Sequence, residues 1–271
     1  MVPLLLLILA LSASAAGMND IEFSRPGGEP LTLDAFVPEG KGPFPAVIIV
    51  HGGGWEAGTK RTYVTPWFEP LSKAGFAWFS INYRLAPKHR FPAPAEDVFA
   101  AIRWVKAHAA EYKVDRRRIA LMGESAGGHL VSYAAVKAEK ATRVAAVVSF
   151  YGPHDLEKRS RDMGEIGRNV RQLLGLEEGL NETSLARLRE ASPVTFVRKG
   201  LPPFLLIHGT KDAAVPYNQS PLMCDRLIAA GNRCEVFTVE GAPHGVGGWE
   251  KVAEYQAYKQ KMVEWLRSAL R

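Results

Sequence analysis

Apolar runs that alternate with helical patterns are the sequence feature that most restricts how this chain folds. Residues 46–50, Ala-Val-Ile-Ile-Val, are apolar without alternation, as expected for a strand buried on both faces of a sheet. Segments 93–110 and 251–270 instead place apolar residues at helical spacing. The β-rich runs cover 31–37, 44–51, 76–83, 119–123, 144–151, 204–208 and 234–239. We therefore predict an α/β fold with a mostly parallel, doubly wound sheet.

One stretch, 152–200, departs from this alternation. It is long, polar and charged, and it lies between two strands that a single crossover helix would ordinarily connect. We predict a small insertion or lid there. The 271 residues are 47% hydrophobic and 23% charged, which is enough apolar material for one large core. Because there is no repeat or linker that would divide the chain, we predict one domain over 17–271.

Segment 1–16 has the pattern of a secretory signal peptide. An apolar run over 4–11 is followed by small residues, and Ala13-Ser14-Ala15 matches an A-x-A cleavage site. The run is too short to span a bilayer as a helix, so we predict no stable membrane association. We predict a secreted or periplasmic protein cleaved near Ala15 or Ala16. The alternatives are a retained anchor or an incorrectly assigned start.

Charge and motif content argue against several classes of partner. The net charge of +6 is modest, and the densest basic run, 116–118, lies just before an apolar strand, where we predict a solvated connection. No nucleic-acid-binding motif accompanies it, so no nucleic-acid partner is expected. There is no H-E-x-x-H motif, no Cys/His cluster and no G-x-G-x-x-G fingerprint. We therefore predict neither a metal site nor a cofactor.

The two cysteines, Cys224 and Cys234, leave two possibilities open. They are ten residues apart, with Gly231-Asn232 between them, which suits a helix followed by a turn and a strand. In an exported protein this pair would be able to form a disulfide, whereas two buried thiols need only ordinary packing.

The sequence Gly-Glu-Ser-Ala-Gly at 123–127 is the strongest chemical signal. It follows the predicted strand 119–122 and opens a helix, which is the context that a nucleophile elbow requires. In such an elbow the turn is too tight for side chains at the flanking glycines, and it exposes the serine hydroxyl at a helix N-terminus. We predict that Ser125 is a nucleophile.

A second motif, His-Gly-Gly-Gly-Trp at 51–55, follows the strand 47–50. Consecutive glycines allow the backbone to approach a ligand closely, so the amides of Gly53 and Gly54 would join that of Ala126 in an oxyanion hole. The alternative is a glycine-rich turn without function. Trp55 is predicted either to form a substrate-binding wall beside these glycines or to pack under the loop.

A serine nucleophile on this fold needs an acid and then a base, in that order along the chain. Asp212 follows one predicted strand and His244 follows the next, which places both at the carboxyl edge of the sheet with Ser125. We predict Asp212 as the orienting acid and His244 as the base. Asp155, after the preceding strand, is the main rival acid. The remaining histidines fit less well, and His51 is predicted to be structural.

Taken together, these motifs resemble the hormone-sensitive-lipase-like esterases of the α/β-hydrolase superfamily. The resemblance rests on HGGGW, the run 82–87 (Asn-Tyr-Arg-Leu-Ala-Pro), Pro92-Ala93-Pro94 with Asp97, GESAGG and the Asp212/His244 pair. Segment 212–220 and the Ala-Pro-His-Gly at 242–245 are further similar to exported bacterial carbohydrate acetyl and feruloyl esterases. The resemblance implies a doubly wound sheet of about eight strands.

The function that the motifs and the resemblance imply is hydrolysis of short-chain acyl esters through an acyl-enzyme, on a small-molecule or carbohydrate substrate. Acetyl or feruloyl esters of carbohydrate are the finer expectation. A general short-chain carboxylesterase and a serine peptidase are the enzymatic alternatives. A ligand-binding protein on a hydrolase scaffold is the non-enzymatic one, since one fold hosts many functions.

Overall fold

The computed structural model describes residues 17–271, which contain one eight-stranded sheet. Its strands are β1 (Gly17–Ser24), β2 (Leu31–Phe36), β3 (Phe44–Val50), β4 (Ala77–Ile81), β5 (Val114–Glu124), β6 (Ala146–Phe150), β7 (Phe204–Gly209) and β8 (Cys234–Val239). Their order is β1-β2-β4-β3-β5-β6-β7-β8. The β1–β2 and β2–β4 pairs are antiparallel, and all other pairs are parallel. The predicted α/β-hydrolase fold is confirmed. Segment 1–16 lies outside the described residues, so the signal peptide stays a prediction.

Helices cover both faces of this sheet. Within residues 17–271 they are α1 (Phe68–Lys73), α2 (Ala93–Ala107), α3 (Ala126–Val136), α4 (Leu156–Met163), α5 (Arg168–Leu174), α6 (Glu182–Ala191), α7 (Gln219–Ala229), α8 (Val246–Trp249) and α9 (Ala257–Ala269). Neighbouring residues of β3 point into different cores: Ile48 packs in the cluster that contains α2 and α3, and Ile49 in the cluster that contains α1 and α9. Burial on both faces explains why β3 is apolar without alternation. None of these helices is long and apolar enough to cross a membrane.

The structure differs from the sequence-based expectation at three element boundaries. Strand β1 was not predicted, and of its residues only Phe23 is buried. Strand β5 begins at Val114, so the basic run 116–118 lies within a strand rather than in a connection. The β3–β5 register shifts between Phe44 and Ala46, and this irregular end leaves Arg116 and Arg117 exposed. The C-terminal helix α9 begins at Ala257, later than the pattern over 251–270 indicates.

Segment 152–200 between β6 and β7 folds into the three helices α4, α5 and α6. Asp155 caps α4 by accepting a hydrogen bond from the Lys158 amide at 2.8 Å. Asn181 and Ser184 form a reciprocal capping box at the start of α6. These polar residues thus set helix starts in a segment whose sequence lacks strand patterns, and its role as a lid stays a prediction.

The two cysteines are joined. Cys224 lies in α7 and Cys234 begins β8, and their Cα atoms are 5.4 Å apart across the disulfide. The bond ties the helix that follows the predicted acid loop to the edge strand of the sheet. The structure therefore favours the disulfide over the two buried thiols that the sequence also allowed.

Candidate active site

Ser125 occupies a sharp turn between β5 and α3. Its backbone has φ 51° and ψ −117°, a region that side-chain-bearing residues rarely adopt. The flanking glycines leave no room for a side chain: a Cβ on Gly123 would collide with the Gly127 carbonyl, and one on Gly127 with the Val50 carbonyl. The Ser125 amide donates to the Phe150 carbonyl at 2.9 Å. This turn has the geometry that a nucleophile elbow requires.

The structure brings Ser125, His244 and Asp212 together in one hydrogen-bonded chain. His244 Nε2 is 3.1 Å from Ser125 Oγ, and His244 Nδ1 is 2.6 Å from Asp212 Oδ2. Asp212 follows β7 and His244 follows β8, so the parallel strands deliver both side chains to the same edge of the sheet. The arrangement allows the imidazole to accept the serine proton while the carboxylate fixes the Nδ1–H tautomer.

Asp212 is held as an anion by its surroundings. Its Oδ1 accepts hydrogen bonds from the backbone amides of Ala214 at 2.9 Å and Val215 at 2.8 Å. Burial by itself raises the pKa of the carboxyl group, but hydrogen bonds from His208 and His244 outweigh burial and lower the pKa well below its ordinary value. The carboxylate is therefore ionised throughout the neutral pH range, as an orienting acid requires.

His208 is a neighbour of the acid rather than a rival base. Its ring is fully buried, with Nδ1 2.8 Å from Ser220 Oγ and Nε2 3.0 Å from the Val215 carbonyl. Nε2 is also 3.4 Å from Asp212 Oδ2, so His208 supports the same carboxylate oxygen that His244 contacts. The rival acid Asp155 is taken up as the cap of α4.

The loop with the three glycines faces Ser125 across a pocket of about 350 Å³. Gly53 has φ 99° and Gly54 has φ 60°, backbone conformations that favour glycine. Among the described residues, the amides of Gly53, Gly54 and Ala126 donate no backbone hydrogen bond. All three residues line the pocket beside Ser125. Unused amides at this position suit an oxyanion hole, the role that we predict for them.

His51 and Tyr83 hold this loop in place. His51 is 1% exposed, and its Nδ1 donates to the Gly52 carbonyl at 2.7 Å. Burial lowers the pKa of this histidine to about 4, so the ring is neutral at neutral pH. The Tyr83 ring stacks on His51 at 4.3 Å, and its hydroxyl donates to the carbonyls of His51 and Gly52, both at 3.2 Å. These contacts give His51 the structural role that we predicted.

Trp55 is the predicted substrate-wall residue, and it is 2% exposed. Its ring packs edge-on against His129, with ring centroids 5.2 Å apart. The residue also lines the pocket at Ser125. The burial matches the packing role that the sequence left open, while contact with substrate stays a prediction.

Four further pocket residues with polar side chains were not identified as site residues from the sequence. Glu124 precedes the serine and is 3% exposed, while Tyr63, Arg159 and Asn169 come from the loop before α1 and from α4 and α5. Glu124 belongs to the GESAGG motif, but nothing in its sequence context indicates that it is buried. The other three lie far from Ser125 along the chain, so only the fold reveals them.

Glu124 carries a buried carboxyl group directly behind the nucleophile. Burial raises its pKa to about 7, although attraction to His244 and hydrogen bonds with the Gly52 amide and the Tyr151 hydroxyl act to lower it. Its Oε1 has no hydrogen-bond partner among the described residues. A Cβ on Gly52 would collide with this carboxyl group, so position 52 requires glycine.

The raised pKa of Glu124 predicts a stability difference that depends on pH. Between pH 4.5 and 7 the unfolded carboxyl group ionises while the folded one keeps its proton, so the free energy of unfolding falls as the pH rises through this range. Glu124→Gln removes this dependence. We expect the wild type to lose roughly 2–3 kcal/mol relative to Glu124→Gln between pH 4 and pH 8. Urea unfolding of both proteins across this range measures the difference.

Comparing the wild type with Glu124→Gln cancels the contribution of the other buried titratable groups to the pH dependence of stability. Burial lowers the pKa of His51 and His129 to about 4 and that of His154 to about 3, so these rings also make stability depend on pH, but with the opposite sign. They are present in both proteins and drop out of the difference. A constant difference between pH 4 and pH 8 would contradict a raised pKa at Glu124.

Metal ligands are not grouped in the part of the chain that the structure describes. No set of three or more His, Cys, Asp or Glu side chains within 17–271 is placed to hold a metal ion.

The sequence comparison assigns the family. Residues 33–227 match the family model described as BD-FAE. The chain belongs to the BD-FAE family. Among curated proteins, this BD-FAE chain is 36% identical over 220 residues to esterase LipC of Mycobacterium tuberculosis, covering 75% of the chain and 53% of LipC. It is 32% identical to esterase LipQ of the same organism, covering 80% of the chain and 54% of LipQ. The chain thus spans about half the length of these curated relatives.

Solved structures similar to the BD-FAE chain confirm the fold over nearly its whole length. A truncated carbohydrate esterase from gut microbiota superposes with a TM-score of 0.82 at 26% identity, covering 96% of this chain and 98% of that one. The bifunctional GH43-CE protein of Bacteroides eggerthii gives a TM-score of 0.81 at 29% identity, covering 94% of this chain and 35% of that one. Esterase 2 of Thermogutta terrifontis gives 0.75 at 27% identity, covering 94% and 92%.

Proposed function

We propose that this protein is a serine carboxylic-ester hydrolase that acts through an acyl-enzyme. The observation that carries the proposal is the chain of contacts from Ser125 Oγ to His244 Nε2 at 3.1 Å and from His244 Nδ1 to Asp212 Oδ2 at 2.6 Å. The esterase names of the curated relatives and of the solved structures support the same reaction class.

In the proposed reaction, His244 Nε2 takes the proton of Ser125 as the hydroxyl oxygen attacks the ester carbonyl. The amides of Gly53, Gly54 and Ala126 then stabilise the negative oxygen of the tetrahedral intermediate. The intermediate collapses when the protonated histidine gives its proton to the leaving alcohol, which leaves an acyl-enzyme on the serine. Water activated by the same histidine releases the acid, and Asp212 stabilises the imidazolium in both halves of the reaction.

The finer proposal concerns the substrate: acetyl or feruloyl esters of carbohydrate. One of the structures similar in fold is described as a carbohydrate esterase, and another as a bifunctional GH43-CE protein. Export, which we propose from the apolar segment 1–16, would place the enzyme where polysaccharide esters occur. The competing proposal is a general short-chain carboxylesterase, which the burial of Trp55 and the moderate pocket volume of about 350 Å³ favour.

Competition between substrates separates these two proposals. We expect kcat/KM for acetylated xylo-oligosaccharide or methyl ferulate to equal or exceed that for an acetate ester of a simple apolar alcohol. Should the simple ester be favoured more than about tenfold, a difference of about 1.4 kcal/mol in transition-state binding, the carbohydrate assignment is wrong and the general carboxylesterase stands. Turnover of amides in preference to esters would instead point to a serine peptidase. An intact protein that binds these esters without hydrolysing them would point to a ligand-binding role.

A further inference from the structure

The segment 152–200 brings into the active-site pocket a guanidinium that forms no ion pair with the described residues. Arg159 of α4 lines the pocket together with Ser125 and His244. Its Nη2 donates to the Ala214 carbonyl at 2.9 Å, and its buried Nε has no hydrogen-bond partner in the part of the chain that the structure describes. Since a backbone carbonyl carries no net charge, this contact does not pair the guanidinium with a carboxylate.

The six other arginines of the segment differ from Arg159: Arg198 is exposed, does not line the active-site pocket and donates to the Ala138 carbonyl. Five of them pair with carboxylates: Arg161 with Glu157, Arg168 with Glu56, Arg171 with Glu178, Arg187 with Glu190 and Arg189 with Glu157. Arg159 has no such partner within 17–271, although it is more enclosed than most of these. An arginine with no carboxylate partner at the wall of a catalytic pocket is costly to bury unless an anion binds there.

In the part of the chain that the structure describes, neither Asp212 nor Glu124 forms an ion pair with Arg159, although the negative charge of Asp212 attracts the guanidinium. Both oxygens of Asp212 are engaged, Oδ1 by the amides of Ala214 and Val215 and Oδ2 by His244. Glu124 keeps much of its proton up to neutral pH because burial raises its pKa to about 7. The guanidinium therefore faces a site in which the oxygens of Asp212 are already engaged and Glu124 is largely neutral, so a carboxylate on a ligand is still able to bind it.

Neighbouring groups leave space around the guanidinium. A Cβ added to Gly167 would lie 3.7 Å from Arg159 Nη1, so this small residue borders the group without filling the site. Asn169 of α5 lies close by on the pocket wall, where its Nδ2 would be 3.1 Å from a Cβ placed on Gly54. An amide donor beside an arginine is a suitable pair of donors for a carboxylate.

We propose that Arg159 is a specificity-determining residue that binds a carboxylate carried by the ester substrate. The proposal rests on the ester hydrolysis proposed above but not on carbohydrate as the alcohol. The substrate's carboxylate can be carried on the acyl half or on the alcohol half of the ester, because both offer the guanidinium the same chemical group. Arg159 is a binding residue and takes no part in the proton transfers at Ser125.

Two pairs of esters, each with one charged and one neutral member, test the proposal. The acyl-side pair is mono-(4-nitrophenyl) adipate and 4-nitrophenyl hexanoate. The alcohol-side pair is 4-acetoxybenzoate and 4-acetoxybenzamide. We expect the wild type to favour the charged member of one pair by about 10–100-fold in kcat/KM, chiefly through a lower KM, because a charge-assisted hydrogen bond to a carboxylate is strong in a pocket. The preference should weaken at high salt.

Three variants separate substrate binding from a structural role. Arg159→Gln should abolish the preference while leaving kcat/KM for the neutral esters within a few-fold of the wild type. Arg159→Lys should retain part of the preference, because the charge remains without the planar fork of donors. Arg161→Gln makes the same change in net charge on the same helix, at an arginine already paired with Glu157, and should leave the preference unchanged.

Each outcome has a defined meaning. Equal or better turnover of the neutral member in both pairs overturns the proposal. An equal fall of kcat/KM for charged and neutral esters in Arg159→Gln also overturns it, because the arginine then acts only by holding the Ala214 carbonyl. If the wild type hydrolyses none of the four esters, the proposed ester hydrolysis fails instead, which is a different result from loss of charge preference.

Discussion

Ser125→Ala is expected to lower kcat by roughly 10⁴–10⁶-fold, because it removes the atom that attacks the ester while other pocket groups remain. Among the described residues, Ser125 Oγ has one hydrogen-bonding contact, to His244 Nε2, so the substitution should change the free energy of unfolding little. The positive φ of 51° at this position suits alanine no worse than serine. Steady-state hydrolysis of a nitrophenyl ester and urea unfolding of the same preparations measure the two effects.

A fluorophosphonate probe gives a second readout for the same serine. Mass spectrometry should find one adduct on the wild type, on the peptide that contains Ser125, and none on Ser125→Ala. Ser132→Ala is the matched control, because Ser132 is a buried serine of α3, the helix that follows Ser125, and its hydroxyl donates to the Gly128 carbonyl at 2.8 Å. This control should keep activity and labelling. Near-normal turnover by Ser125→Ala would refute the nucleophile.

The parallel part of the sheet was predictable because each central strand is buried on two faces. Each of the predicted apolar runs, from 31–37 to 234–239, corresponds to one of the strands β2 to β8. Strand β1 was missed because a mostly exposed, antiparallel edge strand needs few apolar residues, and Phe23 is its one buried residue. The start of β5 was missed because its exposed arginines have the composition of a loop.

The triad residues were predictable for a different reason: their position depends on strand ends. Parallel strands deliver their following loops to one edge, so a serine after β5, an acid after β7 and a histidine after β8 must come close in space. The order of strand ends therefore predicts Asp212 and His244, and the structure places their side chains in contact with each other. Ser125→Ala and Asp212→Asn test the catalytic roles.

The walls of the pocket were not predictable from the sequence. Arg159 and Asn169 belong to helices whose placement over Ser125 depends on how segment 152–200 packs, and no periodic pattern encodes that packing. Arg159 lies among several other arginines in the sequence, and what distinguishes it is its place in the pocket wall without an ion pair to the described residues, which only the fold reveals. The pKa of Glu124 likewise follows from burial, which its immediate neighbours in the sequence do not reveal.

Asp212→Asn is expected to lower kcat by about 10³–10⁴-fold, chiefly by selecting the wrong histidine tautomer. The backbone amides of Ala214 and Val215 both donate to Oδ1, so an asparagine will keep its carbonyl oxygen at that position. Its NH₂ group then takes the place of Oδ2, 2.6 Å from His244 Nδ1. A donor there forces Nδ1 to accept and places the imidazole proton on Nε2, which is then unable to take the proton of Ser125.

Asp155→Asn provides the control for Asp212→Asn, because Asp155 was the rival acid in the sequence and the change of charge is the same. Asparagine caps helices about as well as aspartate, so the bond from the Lys158 amide at 2.8 Å and the start of α4 should persist. We expect Asp155→Asn to retain kcat within a few-fold. Both variants should unfold cooperatively in urea, which separates lost catalysis from lost folding. If Asp155→Asn proved the damaging change and Asp212→Asn stayed within tenfold of the wild type, the orienting acid would have to be reassigned, and the short His244–Asp212 contact would then be structural rather than catalytic.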